Sequence, residues 1–402
     1  MKIFSKLGFI AVIFLILSFS IYDKTEKKGK MIPNDMILIN GNDIFKSFYL
    51  SITEEPNINW LIYRSWLKNV FISYPKIYES SKLKTNGYSK LFKFNEPELD
   101  DCSAQPAYAY YPVTSASWKQ IQDYLQWKTD RFNEYILVEY SILCANPNQI
   151  DMDNFNTEAY LANQYEGVMR KELHLHKEQG MLWSDEFLYP GFRLPTEAEW
   201  EYASETIPEL KYVGSEKSDF KTYPFTDIFF IKDKTFYKDL KDYYRQIATN
   251  EIRTKWTSEN PEQLTSIKEF KKAKYGLANM GGNVKEWCFD IYEDKRNLLT
   301  DWVEIYKHNG YSEDCIIKDS SGAYADKDKF GRMKYYRILG SKSDDKPLCL
   351  GYPIGQKKLE GNRVIRGGTY KNPNIHSRNW MNEDSSSIEV GFRCAMTYVK
   401  RR

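Results

Sequence analysis

The stretch "RGGTYKNPNIHSRNW", residues 366–380, has the makeup of a site lining: two glycines, short polar side chains, His376, and Arg378 close to Trp380. It holds no cysteine and a single good metal ligand, so a metal there would need partners from elsewhere in the chain. The chain has four histidines. His174 and His176 in "ELHLHKE" alternate, so on an extended segment they point the same way and could share a metal, although such pairs are more often exposed coincidences. His308 in "YKHNGY" reads as a surface loop residue. His376, Ser377 and Asp384 are the residue types of a hydrolytic triad, but nothing in their spacing favours one. Arg366, Arg378 and Arg393 carry guanidinium forks suited to a carboxylate or other anion. A loop-rich fold also needs such groups as internal ties, for which Glu199, Glu201 and Asp290 are the expected partners. Trp200, Trp287 and Trp380 read as core. Six cysteines, Cys102, Cys144, Cys288, Cys315, Cys349 and Cys394, lack CxxC spacing, which argues against a zinc or thioredoxin-type site. Free buried thiols and one or two disulfides both stay open.

Something must position these residues. Ile44, Phe48, Leu50 and Ile52 alternate, which predicts a half-buried strand. Ile58, Ile62, Trp66 and Val70 then recur every four residues behind Pro56 and Asn57, predicting a helix with an Asn cap. Ser117 and Gln120 have capping-box spacing ahead of a helix whose buried face is Ile121, Leu125, Phe132 and Ile136. Thr196 and Glu199 repeat that signature at "RLPTEAEWEYAS", with Glu197 and Glu199 suited to the positive end of the helix dipole. An amphipathic helix is expected near 236–247. A Gly-Gly turn leads into a strand at "YGLANMGGNVKEWCFDIYE", and "RVIRGGTY" and "EVGFRCAMTYV" read as two short strands. The class is α+β with much irregular structure and insertions near 141–190, 205–270 and 291–362.

At 402 residues, 42% hydrophobic and 28% charged, the chain is globular rather than disordered, and a sizeable core is within reach. Its net charge of +2, with both signs interspersed, offers no field for nucleic acid. Lys2 and Lys6 precede an apolar run from Leu7 to Tyr22, short for a span of about 20 residues and suited to a signal-peptide core, with Ser18 and Ser20 as small residues for cleavage. Residues 1–22 are therefore read as a signal peptide or N-terminal anchor and 23–33 as a charged linker to one domain, 34–400. No cysteine precedes Cys102, so a lipid-attached N-terminus has no acceptor thiol.

Four segments in order, "GFRLPTEAEWEYAS", "YGLANMGGNVKEWCFD", "RVIRGGTY" and "SSSIEVGFRCAM", together with the strand-helix opening at 44–70, resemble the formylglycine-generating (sulfatase-modifying) enzyme domain family over about residues 34–400. The resemblance implies a C-type-lectin-like fold with little regular secondary structure and bound calcium. In the family's catalytic members two cysteines behind the glycine pair bind copper(I); the matching places here are Asn372 and Ser377. Neither is the soft anionic ligand that copper(I) requires, so the oxidase reaction is expected to be lost and no copper bound. The HxxxHxE cluster of related iron enzymes is also absent. For calcium, the resemblance implies a side-chain amide from Asn279, backbone carbonyls of Gly282 and Val284, and the carboxylate of Glu286, in "NMGGNVKEW". Elementary chemistry agrees, since a hard cation takes oxygens and Gly281-Gly282 lets carbonyls converge. The alternative is a plain turn with Glu286 paired to an arginine.

Within the family, "YPVTSASWKQIQDYLQWKTDRFNEYI" and "DNFNTEAYLANQYEG" look most like gliding-motility lipoproteins of the J type, non-enzymatic envelope proteins associated with type IX secretion, although their lipoprotein cysteine is missing here. The expectation is an exported, non-catalytic scaffold or protein-binding module of the periplasm or outer-membrane-associated envelope. Its tyrosine-rich insertions would contact envelope or secretion-machinery proteins, and its N-terminal run could associate it with a membrane. Two alternatives stand: a metal-dependent oxygenase of the same domain family with ligands relocated to His174, His176 or His376, and a calcium-dependent lectin-like ligand binder.

Overall fold

Capping chemistry fixes where two helices begin. Ser117 N–H donates to Gln120 Oε1 (3.0 Å) and Gln120 N–H to Ser117 Oγ (3.2 Å), so a helix starts at Trp118. Thr196 N–H donates to Glu199 Oε2 (3.0 Å) and Glu199 N–H to Thr196 Oγ1 (3.1 Å), starting another at Glu197. The computed structural model describes residues 35–41, 47–84, 108–139, 142–161, 165, 188, 191–205, 277–294 and 361–398. In chain order they form β1 (Met36–Ile39), β2 (Phe48–Ser51), α1 (Asn57–Val70), α2 (Pro75–Ser80), α3 (Trp118–Glu139), α4 (Thr157–Leu161), β3 (Phe192–Arg193), α5 (Glu197–Glu205), β4 (Lys285–Ile291), β5 (Asn362–Arg366), β6 (Arg378–Asn382), β7 (Val390–Gly391) and β8 (Ala395–Thr397). The class is α+β, as expected.

One sheet runs β1-β2-β8-β3, all antiparallel; the other runs β6-β5-β4-β7, with β7 parallel to β4. Ile121, Leu125, Phe132 and Ile136 of α3 are all buried, in one cluster with Ile58, Ile62, Trp66 and Val70 of α1 and with Trp287 and Ile365 of the second sheet. A second cluster joins Trp200 of α5 to Phe48, Leu50, Cys288 and Val364.

Several expectations change. Strand β2 is buried at all four positions rather than half-buried. Phe48 and Leu50 enter the α5 cluster while Tyr49 enters the α1–α3 cluster, so both faces are covered. Asn57 does not cap α1: Pro56 stands at the cap without a side-chain bond, and Asn57 Nδ2 donates to Tyr108 O (3.0 Å). Strands β1, β3 and β6 were not foreseen, and β6 begins within the stretch read as a site lining. Trp200 and Trp287 are core, but Trp380 on β6, the edge strand of its sheet, is 52% exposed. The helix expected near 236–247, His174, His176, His308, the N-terminal run and Cys102, Cys315 and Cys349 lie outside the described residues. Of the three expected insertions, only 142–161, 165 and 188 and the ends of the others are described.

Candidate functional site

The loop between β5 and β6 is shaped by its glycines. Gly367 has a φ of +77°, and a Cβ there would sit 2.9 Å from Met280 O. A Cβ on Gly368 would run into Asn372 O and Asn374 N, so only glycine lets the chain fold back on itself. The loop is then clipped to the 279–283 turn: Asn374 N–H donates to Gly281 O (2.7 Å) and Tyr370 N–H to Asn283 O (2.9 Å). Asn279 and Asn283 both take the left-handed conformation, φ 60° and 62°, which asparagine tolerates better than most residues.

Asn372 and Ser377, at the two places expected to have lost thiolates, take part in the loop's own bonding. Asn372 N–H donates to Thr369 Oγ1 (3.2 Å), and Ser377 Oγ accepts from Asn379 Nδ2 (2.9 Å). His376 is exposed, its N–H bonded to Asn374 Oδ1 (2.9 Å). Asp384 pairs with Lys119 (2.9 Å), so the triad types are not joined. Cys288 and Cys394 are fully buried, and burial pushes both well up, away from the thiolate form. Cys144, Cys288 and Cys394 are free. Among the described residues no three His, Cys, Asp or Glu are grouped to hold a metal.

The expected calcium donors Asn279 and Glu286 both have protein partners. Both oxygens of Glu286 are engaged by Arg393, at 2.7 Å from Nε and 2.6 Å from Nη2, and Trp200 Nε1–H adds a third bond (2.7 Å). Asn279 turns its amide nitrogen to Glu54 (3.0 and 3.1 Å), joined by Asn283 (3.1 Å). The oxygens of Gly282, Val284 and Asn279 are neutral, and calcium affinity follows ligand charge. Arg393 supplies positive charge here and also gathers the carbonyls of Ser51 (3.0 Å), Ile52 (3.3 Å) and Ala278 (2.8 Å), tying β2 to the turn. Burial, and then the charge of Glu286, push Glu54 up to about 7.

The three arginines are ties, though not to all the partners expected. Arg378 grips Glu197 with Nε (2.7 Å) and Nη2 (3.0 Å) and lies 4.4 Å over Tyr292. Arg366, fully buried, lies 3.5 Å from Glu197 and 3.4 Å from Glu201. Glu199 pairs instead with Arg193 (2.6 and 2.7 Å). Asp290 accepts Glu197 N–H (2.6 Å), and burial raises it to about 7.

A second polar centre escaped sequence reasoning. Lys128 donates to both oxygens of Glu55 (3.0 and 2.9 Å). Glu55 also accepts from Asn59 (2.6 Å), Tyr124 (2.5 Å) and Cys394 (3.0 Å). Burial works against its charge, but Lys128 and these donors hold the Glu55 carboxyl below its ordinary range. One signal was available: Lys128 stands on the apolar stripe of α3, between Leu125 and Phe132.

The profile of the sulfatase-modifying factor enzyme 1-like domain matches residues 34–398. A curated protein called Chaperone protein LppX, from Paenibacillus barcinonensis, is 27% identical over 128 residues, 30% of this chain and 39% of that protein. The aligned stretch thus spans well under half of that relative. Among solved structures, Treponema denticola variable protein 1 is similar at 16% identity, TM-score 0.33, over 91% of this chain and 92% of that one. PvdO from Pseudomonas aeruginosa is similar at 14% identity, TM-score 0.33, over 91% and 93%.

Proposed function

Because the chain belongs to the sulfatase-modifying factor enzyme 1-like domain family, we propose that it keeps the family's loop architecture without its copper chemistry and works as a protein-binding scaffold of the cell envelope. The observation that carries this reading is the 366–380 loop. Its glycines shape the turn and its arginines tie it to the α5 carboxylates, while Asn372 and Ser377 carry hard, neutral side chains, the Ser377 hydroxyl accepting from Asn379 on β6. The likeness of 111–136 and 153–167 to gliding-motility lipoproteins supports an assembly of the gliding and type IX secretion kind, and the Leu7–Tyr22 run supports export.

The test is oxygen uptake by the purified full chain with copper(I), a reductant and a cysteine peptide of the sulfatase type. Uptake no faster than without peptide is expected. Peptide-dependent uptake that disappears in Asn372→Ala or Ser377→Ala would assign the loop a catalytic role and end the scaffold reading.

A further inference from the structure

Five large apolar side chains are exposed among the described residues, and four stand on two neighbouring loop tips: Ile72 (65%), Tyr74 (41%), Ile150 (45%) and Met152 (40%). The tips are held side by side. Asp151 N–H donates to Val70 O (2.8 Å), at the end of α1, and Asp151 Oδ1 accepts from Ser73 N–H (3.1 Å). Asn154 Nδ2 closes the second tip on Asp151 O (2.7 Å), and Asp151 itself takes a left-handed φ of 48°. That reversal leaves the residues on either side of it, Ile150 and Met152, exposed. Beneath, Phe71 packs on Trp66 (5.7 Å between rings), which lies under Arg131 (4.5 Å), so the knob has a firm base. Exposed apolar groups clustered on a built support mark an interaction surface.

We propose that this knob, residues 71–76 with 149–153, contacts a lipid bilayer carrying anionic headgroups. Its charge suits that surface. The exposed charges on α1, on α2 and on the exit of α2 as far as residue 84 are Lys68, Lys76, Lys82 and Lys84 against Glu79 alone, with Asp153 on the other tip. Lysines beside an anionic membrane each add attraction within a Debye length. Ile72, Ile150 and Met152 suit the acyl boundary, and Tyr74 is of the type that settles at headgroup level. The size fits too. Among the described residues the four side chains offer a few hundred Å² at most, well short of the roughly 800 Å² per partner of a stable protein interface. The surface shares no residue with the loop at 366–380 or with the N-terminal run, and it adds a second contact to the scaffold reading rather than resting on it.

Hydrogen exchange of the full chain, with and without vesicles, reads this contact locally even where the N-terminal run also binds lipid. With phosphatidylglycerol-containing vesicles, exchange in 71–76 and 149–153 is expected to slow, and to slow less with phosphatidylcholine alone. Ile72→Ser with Ile150→Ser should abolish the slowing while leaving the melting temperature unchanged, since both side chains are exposed. Lys68→Glu with Lys76→Glu should remove the preference for the anionic vesicles. Unchanged exchange at the tips with both vesicle types would overturn the proposal. So would slowing that follows protein concentration without lipid, which would mark the knob as a self-association surface.

Discussion

Lys128 is tolerable in the middle of an apolar helix face because Glu55 neutralises it and Tyr124, Asn59 and Cys394 satisfy the remaining lone pairs of Glu55. Breaking such a pair strands a buried charge, so Lys128→Met is expected to cost about 3–5 kcal/mol. Adding Glu55→Gln should recover part of that loss in urea denaturation. Equal losses in the single and double variants would mean that charge compensation is not what holds the cluster. Arg393 is the matching case at the 279–283 turn, where its guanidinium neutralises Glu286 and gathers three carbonyls. With that carboxylate occupied, calcium titrated into chelator-treated protein should bind no tighter than about millimolar. Calorimetry showing micromolar binding would refute this, because it would require Glu286 to leave or share Arg393.

Among the elements, α5 depends most on its first turn. Thr196→Ala removes one cap bond and should cost about 1 kcal/mol. Glu199→Gln should cost more, because Glu199 both completes the cap and accepts two bonds from Arg193 (2.6 and 2.7 Å). Similar losses for the two variants in denaturant titrations would show that the Arg193 pair contributes little. The same helix was readable in advance because capping is local chemistry written within four residues. Strand β6 was not readable: "RNWMN" has no apolar alternation, and it is a strand because β5 pairs with it through five successive residues. Strand β3, two residues long, carries no period to detect and exists through its pairing with β8.

Across the whole molecule, burial sets the response to pH. Glu54 and Asp290 both rise to about 7, above the 4.5 and 3.8 of exposed carboxyls. The folded state therefore holds these protons more tightly than the unfolded one, and stability falls as pH rises from about 5 through 7. Glu55 shifts the other way and costs stability as its folded-state range is entered from above in stronger acid. The melting temperature is thus expected to be highest near pH 5 and lower at pH 8, with Glu54→Gln flattening the slope between them; a melting temperature that climbs from pH 5 to pH 8 would contradict it. The two capped helices, the Gly-Gly turn and the hard side chains at 372 and 377 are legible in the chain alone because each is written in neighbouring residues, and the family is legible from four such short segments. That Glu286 serves Arg393, that Glu55 meets Lys128, that Trp380 lies on an edge and that Ile72 and Ile150 share a surface is visible only once the chain is folded. Those outcomes depend on segments tens to hundreds of residues apart, whose meeting is set by packing and by the need to pair every buried charge, and no local pattern records it.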